Sequence, residues 1–221
     1  MNIIDTALSI IAPHICLGCG AEGAVICQSC VLFYPTLPSI CYICARGTTG
    51  YAPCASHQLK HGPRRVYIAG EYSGVLQDAI RNYKFEFKRS AAKDIALFLD
   101  NTVPYIEEYV VSYVPTTGIH IRERGFDHTK NISKAFARMR SLPHVETMVR
   151  VSNVAQKGAN KHTRKKQLKG AFRALPHRVS GKNILLIDDV ITTGATIEEC
   201  AKQLYKAGAC MVDVVAVART P

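Results

Sequence analysis

The stretch that decides the fold is Ile184-Leu-Leu-Ile-Asp-Asp-Val-Ile-Thr-Thr-Gly-Ala-Thr196. Ile184–Ile187 is a continuous apolar run, the pattern of a strand buried on both faces of a parallel sheet. It leads into two carboxylates, Asp188 and Asp189, then a Thr/Gly-rich turn, then a helix over Thr196–Ala207 that Gly208 closes. Such a turn suits a phosphate. The backbone N–H groups and hydroxyls of Thr192, Thr193, Gly194, Ala195 and Thr196 gather at the positive end of the helix dipole. Gly194 permits close backbone approach. Asp188 and Asp189 accept hydrogen bonds, and a ribose diol is a suitable donor.

The flanking sequence alternates strands and helices. Val66–Tyr72 reads as a strand, Gly74–Tyr83 and Ala91–Leu99 as helices, and Tyr109–Val114 as a strand. Thr129–Arg140 is a helix with Ile132, Ala135, Phe136 and Met139 on one face, and Met211–Ala218 closes the chain as a second buried strand. This alternation predicts an α/β fold, a parallel sheet flanked by helices. Composition changes near residue 60, which divides the chain into a small N-terminal module, residues 1–62, and a larger domain, residues 63–221.

Seven of the nine cysteines lie between Cys16 and Cys54. Cys16/Cys19, Cys27/Cys30 and Cys41/Cys44 are Cys-x-x-Cys pairs, and Cys54/His57 has the same spacing. Each pair sets two soft ligands on one tight turn, the knuckle that tetrahedral zinc uses. Eight ligands make two closed structural sites, or one if His57 is not a ligand. His14 and His61 are nearby substitutes. Sequential pairing is simplest, and an interleaved cross-brace remains open. A segment this short buries little core, so metal would supply much of its folding free energy. Cys200 and Cys210, in apolar surroundings, read as buried thiols.

The formal charge of +11 draws polyanions: nucleic acid, phosphorylated metabolites, anionic membrane. The apolar run Ala7–Ala12 is too short to span a bilayer and lacks the basic flank of a signal peptide. Ile3, Ile4, Ala7, Leu8 and Ile11 fall at helical spacing instead. The expected location is the cytoplasm, peripheral to the membrane at most. From Arg150 to Lys182 there is no Asp or Glu, while Lys157, Lys161, Arg164, Lys165, Lys166, Lys169, Arg173 and Arg178 accumulate. Ser152–Lys169 reads as a mobile basic loop that a phosphate backbone would neutralise. Lys60, Arg64 and Arg65 form a smaller basic group at the exit of the cysteine module.

The segment from Ile184 to Thr196 resembles the phosphoribosyl-pyrophosphate (PRPP) signature of type I phosphoribosyltransferases. Further motifs resemble the ComF late-competence family: Tyr83-Lys84-Phe85, Val114-Pro115-Thr116, Arg122-Glu-Arg-Gly-Phe-Asp127, Gln156 with Arg164, and Gly170-Ala171-Phe172. With the cysteine module, the resemblance covers nearly the whole chain. Departures are Asp127-His128 for the usual Asn-Gln, Gln167 for an Asn, and Tyr113-Val114-Pro115-Thr116 for Val-Pro-Val-Pro.

The resemblance implies a type I phosphoribosyltransferase-like domain behind a double zinc ribbon. It implies PRPP bound with Mg²⁺, its pyrophosphate at Pro115, Thr116 and Thr117 with help from Arg122 and Arg124, and Ser152–Lys169 closing over it. It also implies a role in natural transformation, binding incoming single-stranded DNA beside a translocase and a channel, and the acid-free basic run and the net charge point to Lys161, Arg164, Lys165 and Lys166 as the residues on the DNA. An active phosphoribosyltransferase of unknown acceptor and a PRPP-sensing regulator are the alternatives. No acceptor-recognising or catalytic residue is legible.

Overall fold

The computed structural model describes residues 14–85, 91–151 and 168–221. Its centre is a four-stranded parallel sheet. The strands are β1 (Val66–Glu71), β2 (Tyr109–Tyr113), β5 (Asn183–Ile191) and β6 (Met211–Arg219), in the order β1-β6-β5-β2. β5 and β6 occupy the middle, where both faces are covered, which is why they are the most continuously apolar stretches of the chain. β5 reaches Ile191, so Asp188 and Asp189 lie within the strand rather than beyond it. A two-stranded antiparallel hairpin, β3 (Met148–Arg150) with β4 (Phe172–Ala174), stands apart from the sheet.

Two cores flank the sheet. One packs Leu185 and Ile187 of β5 against α2 (Gly74–Phe85), α3 (Ala91–Thr102) and α5 (His128–Met139). The other packs Ile184 and Leu186 against the hairpin and α7 (Ala195–Lys206). The period of two along a strand sends alternate residues to opposite layers. α7 ends in a Schellman motif. Gly208 takes φ +92°, its N–H donates to Tyr205 O at 3.0 Å, and Ala209 N–H donates to Leu204 O at 3.1 Å.

The cysteine module is built into both cores. Val25, Ile26 and Val31, the last on the short helix α1 (Gln28–Leu32), belong to the first, and Tyr42 belongs to the second. Val25 N–H donates to Asp94 Oδ2 at 2.8 Å, and Tyr34 meets Phe98 edge-on at 5.2 Å between ring centres. The composition change near residue 60 therefore marks a change of chemistry within a shared interior.

Several expectations need correction or lie elsewhere. Cys200 is buried as expected, but Cys210 is exposed, because it sits in the turn before β6 rather than in the strand. The helix α4 (Gly118–Arg124), the hairpin and the short helix α6 (Pro176–Val179) were not expected. The N-terminal helical pattern through Ile11 and nearly all of the basic segment Ser152–Lys169 fall outside the described residues.

Arg64, at the exit of the module, is committed to the fold. Its Nε and Nη2 donate to the two carboxylate oxygens of Asp213 at 2.9 and 2.7 Å, and the Tyr109 hydroxyl donates to Asp213 Oδ2 at 2.7 Å. Asp213 is 1% exposed, so its charge depends on these partners. Arg64→Met should destabilise the chain by about 2 kcal/mol, less than for a fully buried pair because Arg64 is partly in water. The check is a lower urea midpoint with an unchanged denaturant slope.

Candidate functional site

Near its C-terminal end β5 carries two adjacent carboxylates, and period-two alternation gives them different surroundings. Asp189 falls on the α2/α5 side, where Lys84 forms an ion pair with it and His128 Nε2 lies 2.5 Å from Oδ2. Arg124 Nη1 lies 3.1 Å from His128 Nδ1. A guanidinium only donates, so Nδ1 accepts and the ring proton sits on Nε2, directed at Asp189. Burial opposes ionisation of Asp189, but Lys84 and His128 outweigh it and hold the carboxyl well below the usual range.

Asp188 falls on the α7 side. Burial, then the negative charge of Asp189, push its carboxyl up to about 7. The Asp189 backbone N–H, which donates to Asp188 Oδ1 at 2.9 Å, and then Lys84 and Arg150 act in the opposite direction without overcoming these. Arg150 stands over the Phe172 ring, 5.0 Å from its centre. The folded state therefore holds the Asp188 proton more tightly than the unfolded chain does. That contribution to stability is complete below about pH 4 and is lost as pH rises through about 7. One acid of the pair is fixed as an anion, and the other titrates near neutrality.

Beyond the strand, Thr192 is exposed, Thr193 and Thr196 are half-buried, and Gly194 and Ala195 are buried. Gly194 is the N-cap of α7, with φ +77° and no side-chain cap, and Glu198 N–H is the first to close back onto it, at 3.0 Å from Gly194 O. The preceding N–H groups of the first turn make no intrahelical bond. They form the positive end of a twelve-residue helix, suited to a phosphate.

The second predicted loop, Pro115, Thr116 and Thr117, follows β2. Thr116 N–H donates to Asp127 Oδ2 at 3.3 Å, and Asp127 also caps α5 by accepting from Lys130 N–H at 3.1 Å. Thr117 caps α4 by accepting from His120 N–H at 3.3 Å. β2 pairs directly with β5, so this loop and the Asp188–Thr196 loop emerge from the same end of the sheet on neighbouring strands. Arg124 is buried beside His128, whereas Arg122 is exposed. The proposed DNA residues Lys161, Arg164, Lys165 and Lys166 lie outside the described residues.

Three polar residues at this site were not singled out as site residues from sequence. Lys84 had a readable signal, because Leu76, Ala79, Ile80 and Tyr83 define the buried face of α2 and Lys84 continues it at helical spacing. His128 occupies a position where the ComF pattern usually carries Gln. Arg150 had no local signal, since its place depends on the hairpin.

The ligand-type side chains of the module gather into two groups, Cys16/Cys19/Cys27/Cys30 and Cys41/Cys44/Cys54/His57. The pairing is sequential, His57 is in the second group, and neither His14 nor His61 takes its place. Tetrahedral zinc with Zn–S bonds of about 2.3 Å sets sulfurs about 3.8 Å apart. Cys16–Cys30, Cys19–Cys27 and Cys44–Cys54 are 3.7, 3.6 and 3.8 Å apart, too far for disulfides and right for shared coordination. His57 Nδ1 is 3.2 Å from Cys54 Sγ and 3.6 Å from Cys41 Sγ. Burial would raise the Cys16 thiol, but backbone N–H groups, Cys27 foremost, outweigh it and bring it down to about 6. Cys41 is held at about 6 in the same way, by Cys44 and Cys54. Both groups fit structural zinc.

Parts of this chain are similar to known proteins. The phosphoribosyl transferase domain family matches residues 128–221, which include the acid pair and the loop after it. Competence protein F of Haemophilus influenzae is 28% identical over 88% of this chain and 90% of its own. The DNA utilization protein YhgH of Escherichia coli K12 is 28% identical over 94% of this chain and 98% of its own. Among solved structures, the glutamine PRPP amidotransferase of B. subtilis overlays with a TM-score of 0.43 at 22% identity, covering 58% of this chain and 26% of that one. No helix of the described residues is long and apolar enough to cross a membrane.

Metal analysis of the protein purified under reducing conditions should find two zinc ions per chain. Cys16→Ser and Cys41→Ser should each remove one. A content below one per chain would overturn the assignment of both groups.

Proposed function

We propose that the chain is a ComF-like protein that binds PRPP with Mg²⁺ and single-stranded DNA during DNA uptake, a reading supported by its phosphoribosyl transferase domain and its similarity to competence protein F and YhgH. The observation that carries the PRPP reading is the last part of β5, where a buried and a half-buried acid, Asp188 and Asp189, are followed after Thr192 and Thr193 by the N-terminus of α7, whose N-cap is Gly194 and whose Ala195 N–H donates to Thr193 Oγ1 at 3.4 Å. The first-turn N–H groups of α7 and the hydroxyls of Thr192, Thr193 and Thr196 hold the ligand's 5′-phosphate. Asp188 and Asp189 accept from its ribose hydroxyls. Pro115, Thr116 and Thr117, on the adjacent strand, hold its pyrophosphate, and Mg²⁺ supplies charge neutralisation there when bound. Lys84 and His128 keep Asp189 ionised for this role.

The zinc groups are structural, because each provides four protein ligands and leaves no open position. They close residues 1–62, and residues 63–221 form the ligand-binding domain. The chain works in the cytoplasm beside a translocase and a channel. Single-stranded DNA follows the basic segment, contacted mainly through phosphates at Lys161, Arg164, Lys165 and Lys166. Arg64 is held by Asp213 and Tyr109, which weakens the module exit as a rival DNA surface.

Two experiments test this. A ribose diol that donates to Asp188 favours the ionised carboxylate, so binding releases a proton near neutrality. Affinity for ribose 5-phosphate should rise by up to about tenfold between pH 6 and pH 8, and Asp188→Asn should remove that part of the rise. Calorimetry that detects neither PRPP nor ribose 5-phosphate on the intact protein would end the reading. For DNA, affinity should fall with salt at a slope of roughly −0.7 per phosphate neutralised, and Ala at Lys161, Arg164, Lys165 and Lys166 together should weaken binding and flatten the slope. Unchanged affinity and slope would remove these residues from the DNA track.

A further inference from the structure

The Cys41-Tyr42-Ile43-Cys44 turn lies directly on the phosphate loop. A Cβ on Gly194 would come within 2.5 Å of Tyr42 Cε2, 2.9 Å of Cδ2 and 3.6 Å of Ile43 Cγ1. The close approach that Gly194 allows is therefore made by the aromatic ring of a metal knuckle. Tyr42 is 1% exposed, and its hydroxyl donates to Glu198 Oε1 at 3.4 Å, one turn along α7. Arg219 completes the clamp from the end of β6. Its Nε donates to Tyr42 O at 3.1 Å and its Nη2 to Ile43 O at 3.4 Å, and its backbone pairs with Ile191, three residues before Gly194.

The turn carrying Tyr42 is short, and its two ends are the ligand residues Cys41 and Cys44. Without a metal to join them to Cys54 and His57, the sulfurs that hold the turn have only weak thiol contacts. The first metal group docks elsewhere, on α3 through Val25 and Asp94. The two groups are therefore unequal with respect to the loop.

We propose that Tyr42, held on the turn between Cys41 and Cys44, is a positioning residue for the phosphate loop, so that metal in the second group sets the loop's affinity for its phosphorylated ligand. The ring packs against Gly194 and fixes the direction of the α7 N–H groups, although it need not touch the ligand. The affinity half of this inference rests on the reading that the loop binds PRPP. The mechanical half does not.

The experiment compares full-length Tyr42→Ala, Tyr42→Phe, Cys44→Ser and Cys19→Ser with the unaltered protein. Hydrogen exchange is read in peptides covering residues 188–200 and 211–219, alongside PRPP titration and zinc content. Tyr42→Ala and Cys44→Ser should speed exchange over 192–198, leave β6 protected, and weaken PRPP by about tenfold or more. Tyr42→Phe, which keeps the ring, should stay within about twofold, as should Cys19→Ser, which alters only the first group. Tyr42→Ala should keep both zinc ions, so its result stands even if Cys44→Ser fails to fold. Unchanged exchange over 192–198 in Tyr42→Ala, or an equal effect from Cys19→Ser, would overturn the inference. If the unaltered protein does not bind PRPP, the functional reading fails, while the exchange data still decide whether the knuckle holds the loop.

Discussion

A strand covered on both faces has no solvent-facing side on which to place a charge, and β5 carries two carboxylates near its end. Everything around the site answers that constraint. The sheet layer on one side supplies Lys84 and His128, so Asp189 can remain an anion. The layer on the other supplies a thiol, Cys200, and a partly buried guanidinium, Arg150, and Asp188 holds its proton to about pH 7. Adjacent residues of the same type thus acquire different acidities because a β-strand turns them in opposite directions. An unpaired carboxylate in either layer would cost several kcal/mol, which is why α2 tolerates a lysine on its apolar face.

The cysteine knuckles, whose ligand groups fit structural zinc, are packed into this fold rather than tethered to it. A small segment with few apolar residues cannot build its own interior. Here it lends side chains to two existing ones instead, Val25, Ile26 and Val31 to one side of the sheet and Tyr42 to the other. Each knuckle fixes a short turn, and what the turn presents is an apolar side chain for a neighbour. The two ligand groups and the sheet thereby share an interior across the compositional boundary near residue 60.

The legible parts were those encoded within one element. The run Ile184–Ile187, the closing Gly208 and the cysteine spacings each state their structural role over a few residues, and the parallel α/β fold and the ligand pairing followed. α4 was missed because Ile119 and Ile121 are both exposed and form no buried helical stripe. The hairpin was missed because three residues per strand show no alternation worth reading. Lys84 and the opposite facing of Asp188 and Asp189 were available from helical and strand periods. Tyr42 against Gly194 was not, because it joins distant parts of the chain through tertiary packing alone.

The distribution of the remaining sulfur has a practical meaning. Cys200 is buried within α7, and Cys210 stands in the open at the turn between α7 and β6. With both metal groups filled, seven thiolates are engaged as ligands and one thiol faces solvent. A maleimide reagent would then attach once per molecule, at the end of α7 remote from its N-terminus. The same stoichiometry, followed over time, becomes a meter of how many knuckles have opened.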